Sequence, residues 1–209
     1  MIRRLITITL VLTLIILPFP GSLFAGTSRL LSVQALQQHG ETFCTAFSIN
    51  ERIGMWVTAA HCASQIQLEP FGTSTIMGKG VWVIAIGMPT SDTAVIQSGA
   101  HAPALHLSRR AIQVDDEITV IGYPYGLARI VTRGTVGAVS IPVIHPDTDY
   151  FMTSDVLVIT VAPGNSGSPV LNTNGDVVGL LWGSFRGTAH CLSIPLEALT
   201  RVIATFAEF

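Results

Sequence analysis

The chain has 209 residues, of which 49% are hydrophobic and only 11% are charged, and its formal net charge is −2. This composition excludes an intrinsically disordered chain. The small net charge, with no run of like charges, argues against nucleic acid or an anionic membrane surface as the partner. The length is enough for one domain or two small ones, and the spread of 19 glycines and 11 prolines favours many short strands.

The first 25 residues have the pattern of an export signal. Two arginines precede an apolar run from Leu5 to Leu17, and a small-residue cleavage site follows near Ala25. The run of 13 residues (17 − 5 + 1) is short for a membrane-spanning helix. Leu23 is larger than the residue usual before such a cleavage site, so an uncleaved membrane anchor stays open as the alternative. Both outcomes place the bulk of the chain outside the cytoplasm, secreted or periplasmic, where disulfides persist.

From about residue 27 the pattern predicts one strand after another. Alternating or β-branched runs at 41–49, 55–58 and 79–87 are separated by Gly, Asn, Asp and Pro clusters, such as the hairpin signal at Asn172–Gly175. Only the C-terminus is predicted to be helical, because apolar residues after Pro195 recur at helical spacing. These residues are Leu196, Leu199, Val202, Ile203 and Phe206. The prediction is an all-β chain with a terminal helix.

The stretch APGNSGSPV places Ser166 between Gly164 and Gly167, in a turn bordered by apolar strand residues. A serine hydroxyl is a weak nucleophile at neutral pH and needs an adjacent base. Glycines on both sides allow a tight turn and close approach of a substrate carbonyl. The backbone N–H groups of Gly164 and Ser166 could then form an oxyanion hole. The alternative is an ordinary Gly/Ser turn without chemistry.

A histidine and a carboxylate that could serve this serine also lie next to predicted strands. His61 ends the stretch TAAH after the strand MWVT, and Asp92 directly precedes the apolar run TAVI. Taken alone, His61 could be structural and Asp92 could cap a turn. Acyl transfer by serine needs a base for the hydroxyl proton and a buried carboxylate that holds the tautomer of that base. The three residues together therefore predict nucleophilic catalysis.

The motifs TAAHC, DTAVI and GNSGSP, in this order, resemble those of the chymotrypsin-fold (trypsin-like) serine peptidases. The spacings of 31 residues from His61 to Asp92 and 74 from Asp92 to Ser166, with the stretch IGYPYGLARIVTRGTVGAVS, are most similar to the HtrA-type and glutamyl-endopeptidase branches. The resemblance implies an endopeptidase that acts on polypeptides through an acyl-enzyme and needs no cofactor. Too few residues follow the motifs for the PDZ domain of many HtrA-type proteins.

The same resemblance implies two packed six-stranded antiparallel β-barrels with the triad in the cleft between them. The peptidase domain is expected at 26–209. Its first barrel is expected at about 30–110, its second at about 117–194, and the C-terminal helix at 195–207. His61 and Asp92 would come from the first barrel and Ser166 from the second.

The chain also departs from its relatives near the predicted substrate groove. Asn165 replaces the aspartate that pairs with a freed N-terminal amine in trypsin-type enzymes, so this activation switch is not expected. Trp182 and Gly183 resemble the Trp-Gly strand of the groove, but Leu181 replaces the histidine with which glutamyl endopeptidases bind a substrate carboxylate. With Thr160 on the facing segment, the expected pocket has no charge and favours small or medium apolar side chains.

The cysteines and remaining histidines predict a disulfide and no metal site. By the resemblance, Cys44 and Cys62 form the disulfide that anchors the histidine loop, the alternative being two free buried thiols. Cys191 is then left over as a buried free thiol. Neither C-x-x-C nor H-x-x-H spacing is present, which argues against zinc. The other histidines carry no motif and are expected to be surface or structural, with His190 alone near the cleft; they are His39, His101, His106, His145 and His190.

Two other functions compete with the peptidase. A non-catalytic relative that keeps the fold as a binding module is disfavoured, because all three triad residues and the oxyanion glycine are present. An α/β-hydrolase esterase would need G-x-S-x-G, the order Ser–Asp–His and alternating helices, none of which is found. The sequence leaves the oligomeric state open.

Overall fold

The computed structural model describes residues 28–68, 73–146, 148–185 and 187–205. The predicted signal segment and Phe206 lie outside these residues. Within them, no helix has the length and hydropathy needed to cross a membrane.

The first half of the described chain is a closed barrel of six antiparallel strands. The spatial order is β1-β2-β3-β6-β5-β4, so the barrel closes between the first and fourth strands. The strands are β1 Val33–Gln38, β2 Glu41–Asn50, β3 Met55–Thr58, β4 Ser74–Ile76, β5 Lys79–Ile86 and β6 Ala94–Ser98. Trp56, Phe47 and Leu36 fill its interior without solvent contact. Burial of each such side chain stabilises the fold by about 1.5–3 kcal/mol.

The second half forms another closed antiparallel barrel, in the order β10-β11-β12-β9-β8-β7. Its strands are β7 Glu117–Gly122, β8 Ile130–Ile144, β9 Phe151–Val158, β10 Pro169–Leu171, β11 Val177–Ser184 and β12 His190–Pro195. Leu157, Val170 and Leu181 lie in its core. The predicted fold class, two six-stranded antiparallel barrels with a C-terminal helix, is confirmed.

Within the described residues, two nine-residue α-helices accompany the barrels, α1 Ala60–Leu68 and α2 Leu196–Ala204, together with a short 3-10 helix at Pro124–Gly126. In α2, three of the predicted positions are buried, namely Leu196, Leu199 and Ile203.

The prediction that only the C-terminus is helical is wrong, because α1 is a helix and residues 28–31 form a further helical turn. The segment of α1 is rich in Ala, Gln and Leu, which favour helix. Its apolar residues form only a weak amphipathic pattern, unlike those of α2, which has the same length of nine residues. Burial of Ala60, Cys62 and Ala63 holds it against the barrel.

Candidate active site

The pairing of β3 with β6 brings His61 and Asp92 together. Thr58, the last residue of β3, pairs with Ala94, the first residue of β6. Since the strands are antiparallel, the segment that leaves β3 and the segment that enters β6 lie at the same end of the barrel. His61 Nδ1 lies 2.6 Å from Asp92 Oδ2, and the His61 backbone N–H donates to Oδ1 at 2.9 Å. The carboxylate thus fixes both the ring and the backbone of the histidine.

The turn around Asp92 is held by its neighbours. The hydroxyls of Ser91 and Thr93 hydrogen-bond each other at 2.8 Å, and the Gly87 N–H donates to the Thr93 carbonyl at 2.7 Å. Asp92 is completely buried, whereas the His61 side chain is 25% exposed. A buried, fixed carboxylate beneath a partly accessible imidazole is the arrangement that general-base catalysis requires.

The environment of Asp92 keeps its carboxyl ionised. Burial by itself raises the pKa of this group, because it removes water from the charged form. The hydrogen bonds and the electrostatic attraction of His61, with a smaller electrostatic contribution from His145, outweigh this effect, so the pKa of Asp92 lies below its ordinary value. At neutral pH the carboxylate is therefore negative and can stabilise a protonated imidazole.

The turn that carries Ser166 depends on its glycines. Gly164 and Gly167 have φ of +96° and +86°, the left-handed region that glycine adopts at little cost. A methyl group at Gly167 would collide with the carbonyl oxygen of Thr45 and the hydroxyl of Thr58. The close approach of this turn to β2 and β3 therefore requires glycine after the serine. Ser166 itself is left half-buried.

Thr45 of β2 joins the serine turn to the first barrel, a role that the sequence analysis missed. Its N–H donates to the Ser166 carbonyl at 2.8 Å, and its hydroxyl donates to the Gly164 carbonyl at 2.8 Å. The Tyr123 N–H donates to the same hydroxyl at 3.2 Å. The available signal was a threonine within a buried apolar run beside Cys44, since a buried hydroxyl needs partners.

Two backbone N–H groups next to the nucleophile position, those of Gly164 and Ser166, are the predicted oxyanion donors. The Tyr125 N–H donates to the Pro163 carbonyl at 2.6 Å. Because the carbonyl and N–H of a trans peptide point in opposite directions, this bond turns the Gly164 N–H away from Tyr125. Among the residues that the structure describes, no backbone carbonyl accepts a hydrogen bond from the N–H of Gly164 or Ser166. The role of these two groups as oxyanion donors stays a prediction.

The structure brings Ser166 close to the histidine segment without joining the two side chains. The Ser166 carbonyl oxygen lies 4.0 Å from Sγ of Cys62, the residue after His61. Within the described residues, the Ser166 hydroxyl makes no hydrogen bond, to His61 or to any other group. In empty active sites such bonds are often long and tighten only when substrate binds.

The residues predicted to line the substrate pocket differ in solvent exposure. Thr160 is exposed and Gly183 is half-buried. The Leu181 side chain is 2% exposed and packs in the core of the second barrel, so this residue contributes its backbone, whose carbonyl accepts the Gly167 N–H at 2.8 Å. Trp182 is buried, and its indole N–H donates to the Ser154 hydroxyl at 3.0 Å.

The cysteines pair as the resemblance implied. Cys44 of β2 and Cys62 of α1 form a disulfide, which confirms that prediction and attaches the helix of His61 to the strand of Thr45. Cys191 is a buried free thiol that donates to the Ile159 carbonyl at 3.0 Å. Burial raises the pKa of this thiol to about 11, so it is protonated at neutral pH and is not a nucleophile.

His145 is the residue near the site that no sequence signal marked. It follows β8 and is 1% exposed. Its Nε2 atom lies 3.5 Å from Asp92 Oδ2, and its ring stacks on Trp182 with centroids 5.1 Å apart. The pairing of β8 with β9, which are joined by the turn after His145, brings this histidine to a carboxylate 53 residues earlier in the chain (145 − 92).

Two groups of side chains in the described residues have the proximity of metal ligands: Cys44, His61 and Cys62, and His61, Asp92 and His145. The two cysteines of the first group are joined in the disulfide and offer no thiolate. In the second group, an ion would have to displace the hydrogen bond of 2.6 Å between His61 and Asp92. Both arrangements fit a hydrogen-bonded site better than a metal centre.

Comparison with known proteins agrees with this geometry. A family model described as the trypsin-like peptidase domain matches residues 44–180. A probable periplasmic serine endoprotease DegP-like from Pseudomonas fluorescens is 33% identical over 116 residues, which cover 52% of this chain and 24% of that protein. Its counterpart from Chlamydia trachomatis is 37% identical over 109 residues, covering 51% of this chain and 21% of that protein. The match thus spans about a quarter of the length of these relatives.

Solved structures show the same fold. The crystal structure of the Rv3671c protease in its inactive form has a TM-score of 0.71 at 19% identity and covers 91% of this chain and 97% of its own. The active form of this protease, from M. tuberculosis, has a TM-score of 0.68 at 18% identity and covers 97% and 95%. The family model alone spans more than half of the chain. The chain therefore belongs to the family of the trypsin-like peptidase domain, and its DegP-like relatives agree with the HtrA-type resemblance.

Proposed function

We propose that this protein is a serine endopeptidase in which Ser166 is the nucleophile, His61 the general base and Asp92 the orienting carboxylate. Ser166 Oγ attacks the scissile carbonyl while His61 Nε2 takes the hydroxyl proton. The imidazolium then returns this proton to the leaving amine, which leaves an acyl-enzyme that water hydrolyses by the same route. The observation that carries the proposal is the bond of 2.6 Å between His61 Nδ1 and the buried Asp92 carboxylate.

The backbone of the serine turn supports the proposed mechanism. The negative oxygen of the tetrahedral intermediate would be bound by the N–H groups of Gly164 and Ser166. The N–H groups of Tyr125 and Ser168 support this role, since they bind the Pro163 and Asn165 carbonyls, which share their peptides with the N–H groups of Gly164 and Ser166. Removal of one such donor costs about two to three powers of ten in rate in characterised enzymes.

The proposed substrates are polypeptides, cleaved after small or medium apolar residues. The segments expected to line the pocket, around Thr160 and Gly183, carry no charge. A lysine or arginine side chain would enter without a counter-ion, at a cost of several kcal/mol. An apolar side chain gains about 0.8 kcal/mol for each methylene it buries. Dominant cleavage after glutamate would instead indicate that the exposed His190 binds the substrate carboxylate.

The proposed enzyme needs no new N-terminus for activation. Asn165 precedes the nucleophile and is 5% exposed. Being neutral, it cannot form the ion pair with a freed ammonium group that a buried aspartate would form. Chemical blocking of the mature N-terminal amine should therefore leave activity intact, and loss of activity would contradict this part of the proposal.

The proposed location is outside the cytoplasm, with residues 1–25 as the signal peptide and 26–209 as the peptidase domain. The pattern of basic, apolar and small residues at the N-terminus supports export. The disulfide agrees with an oxidising compartment, and the curated relatives are named as periplasmic. N-terminal sequencing of the exported protein would decide between a cleaved signal and an anchor.

The test of the proposed function is cleavage of a peptide library, with mass-spectrometric mapping of the sites. Ser166→Ala should abolish cleavage, and a sulfonyl fluoride should label Ser166 in the parent. Ser108→Ala, in the segment between the barrels, is the matched control and should leave the rate unchanged. A Ser166→Ala variant as active as the parent, or a label on another residue, would refute the assignment. An intact, correctly folded protein that neither cleaves nor reacts would favour the non-catalytic binding protein instead.

A further inference from the structure

The buried carboxylate of Asp92 is approached from both barrels. His61 of the first barrel supplies two donors, its backbone N–H at 2.9 Å and its Nδ1 at 2.6 Å. A carboxylate has about four lone-pair positions, and a buried one is costly unless they are satisfied. From the second barrel, His145 Nε2 lies 3.5 Å from Asp92 Oδ2. This is the same oxygen that lies 2.6 Å from His61 Nδ1.

His145 is held in place on several sides. Its ring lies against the Trp182 ring at an interplanar angle of 19°, and Trp182 is in turn bonded to Ser154. Its backbone N–H donates to the Tyr150 carbonyl at 3.0 Å, and its carbonyl accepts the Asp149 N–H at 3.0 Å. The imidazole is therefore fixed before any substrate arrives, as a group that orients another must be.

We propose that His145 is a positioning residue, whose Nε2–H holds Asp92 Oδ2 in line with Nδ1 of His61. This role rests on the proposed function, in which Asp92 keeps His61 in the tautomer that accepts the serine proton. His145 touches no reacting atom and acts through the carboxylate alone. The distance of 3.5 Å between Nε2 and Oδ2 is longer than a strong hydrogen bond, so the contact restrains the carboxylate mainly by electrostatic attraction.

Stacking on Trp182 gives this contact a second consequence. Trp182 belongs to the segment expected to line the substrate groove, and its ring lies on His145. The same tryptophan thus connects the groove to the carboxylate through a chain of three side chains, Trp182, His145 and Asp92. Loss of the Nε2–H should therefore change the chemical step rather than substrate binding, provided that a ring still packs on Trp182.

Two variants separate the donor from the ring. His145→Phe keeps a buried ring against Trp182 and removes the donor, whereas His145→Gln keeps an N–H group near the position of Nε2. We expect His145→Phe to lower kcat about tenfold with KM within about twofold of the parent, the low end for loss of a hydrogen bond to a charged group. His145→Gln should recover most of kcat, and His106→Gln, which changes an exposed histidine, should match the parent.

Proton NMR of the imidazole N–H groups gives a readout that a merely structural role would not change. In the parent, the proton between His61 and Asp92 should resonate far downfield. It should move upfield or broaden in His145→Phe and return in His145→Gln, while the melting temperatures stay similar. An unchanged resonance and kcat in His145→Phe would overturn the proposal. The proposal would also be overturned if both variants had the same lowered kcat, the same changed KM and the same lowered melting temperature. That result would indicate a structural role only.

The same experiment separates this proposal from the proposed function. If the parent neither cleaves peptides nor reacts with a sulfonyl fluoride at Ser166, the proposed function fails. The downfield proton then still decides the role of His145, because it reports the His61–Asp92 bond without turnover. Movement of this proton in His145→Phe alone would support the positioning role, and its absence of movement would overturn it.

Discussion

Replacement of Asp92 by asparagine should remove nearly all activity without unfolding the protein. The two side chains have the same shape, but the amide offers one acceptor and one donor where the carboxylate offers two acceptors. If the amide oxygen keeps the His61 backbone N–H at Oδ1, its NH2 group faces His61 Nδ1. The imidazole must then carry its proton on Nε2, where the proposed base has to be unprotonated.

The structure allows an estimate of the loss. An imidazolium and a carboxylate with charges about 4 Å apart attract each other by about 4 kcal/mol at an effective dielectric constant of about 20. In the reactive tautomer the proton lies on His61 Nδ1, where it would face the NH2 group of the asparagine. Two buried donors would then face each other, which costs about 1–3 kcal/mol. The sum of about 5–7 kcal/mol corresponds to about four to five powers of ten in kcat. Asp→Asn replacement in characterised Ser-His-Asp triads has an effect of the same order.

The assay is kcat/KM on the best library peptide, with circular dichroism to confirm folding. Asp115→Asn is the matched control, since Asp115 is exposed and its φ of +69° suits asparagine equally well. It should retain full activity. A folded Asp92→Asn protein that loses less than about tenfold would refute both the assigned role of this carboxylate and the tautomer argument.

Three further substitutions test the fold that carries the site. Replacement of Cys44 and Cys62 together by alanine should lower the free energy of unfolding in urea by about 3 kcal/mol, because the bond closes a loop of 18 residues; a loss below about 1 kcal/mol would contradict this. Gly167→Ala should reduce both activity and melting temperature, because the added methyl group collides with Thr45 and Thr58. Gly40→Ala is the control, since Gly40 has a similar φ of +85° but its added methyl group meets no described atom within 4 Å. Equal effects of the two substitutions would show that the collision at Gly167 is unimportant. Burial raises the pKa of Asp155 more than its hydrogen bond from a backbone N–H lowers it. Because the pKa of Asp155 is raised in the folded state, the stability that the protonated carboxyl contributes is present below about pH 4 and is lost as pH rises. Asp155→Asn should therefore melt at a higher temperature than the parent at pH 7 and at the same temperature near pH 3. A lower melting temperature of the variant at pH 7 would contradict this.

Part of the site could be predicted from sequence because its residues lie in short local motifs. The Ser166 turn needs glycines at positions that only glycine occupies easily, and this local requirement is visible as GNSGS. Two short apolar runs predicted the strands beside His61 and Asp92, although His61 itself lies in the first turn of α1 and not at a strand end. The disulfide between Cys44 and Cys62 followed from family resemblance. The roles of the three predicted catalytic residues stay predictions until the variants are measured.

The amino-acid sequence alone determined the all-β class, the C-terminal helix and the order of the motifs, because these depend on periodicity and on turn residues a few positions apart. Tertiary structure alone decided how the two barrels meet. Thr45 reaches the serine turn across 119 residues through its hydroxyl, and His145 reaches Asp92 from the end of a hairpin in the other barrel. Such contacts depend on strand register and barrel closure, which bring together side chains that no local pattern relates. A single threonine or histidine has no distinguishing signal in sequence, since its partner is set by packing and not by its neighbours in the chain.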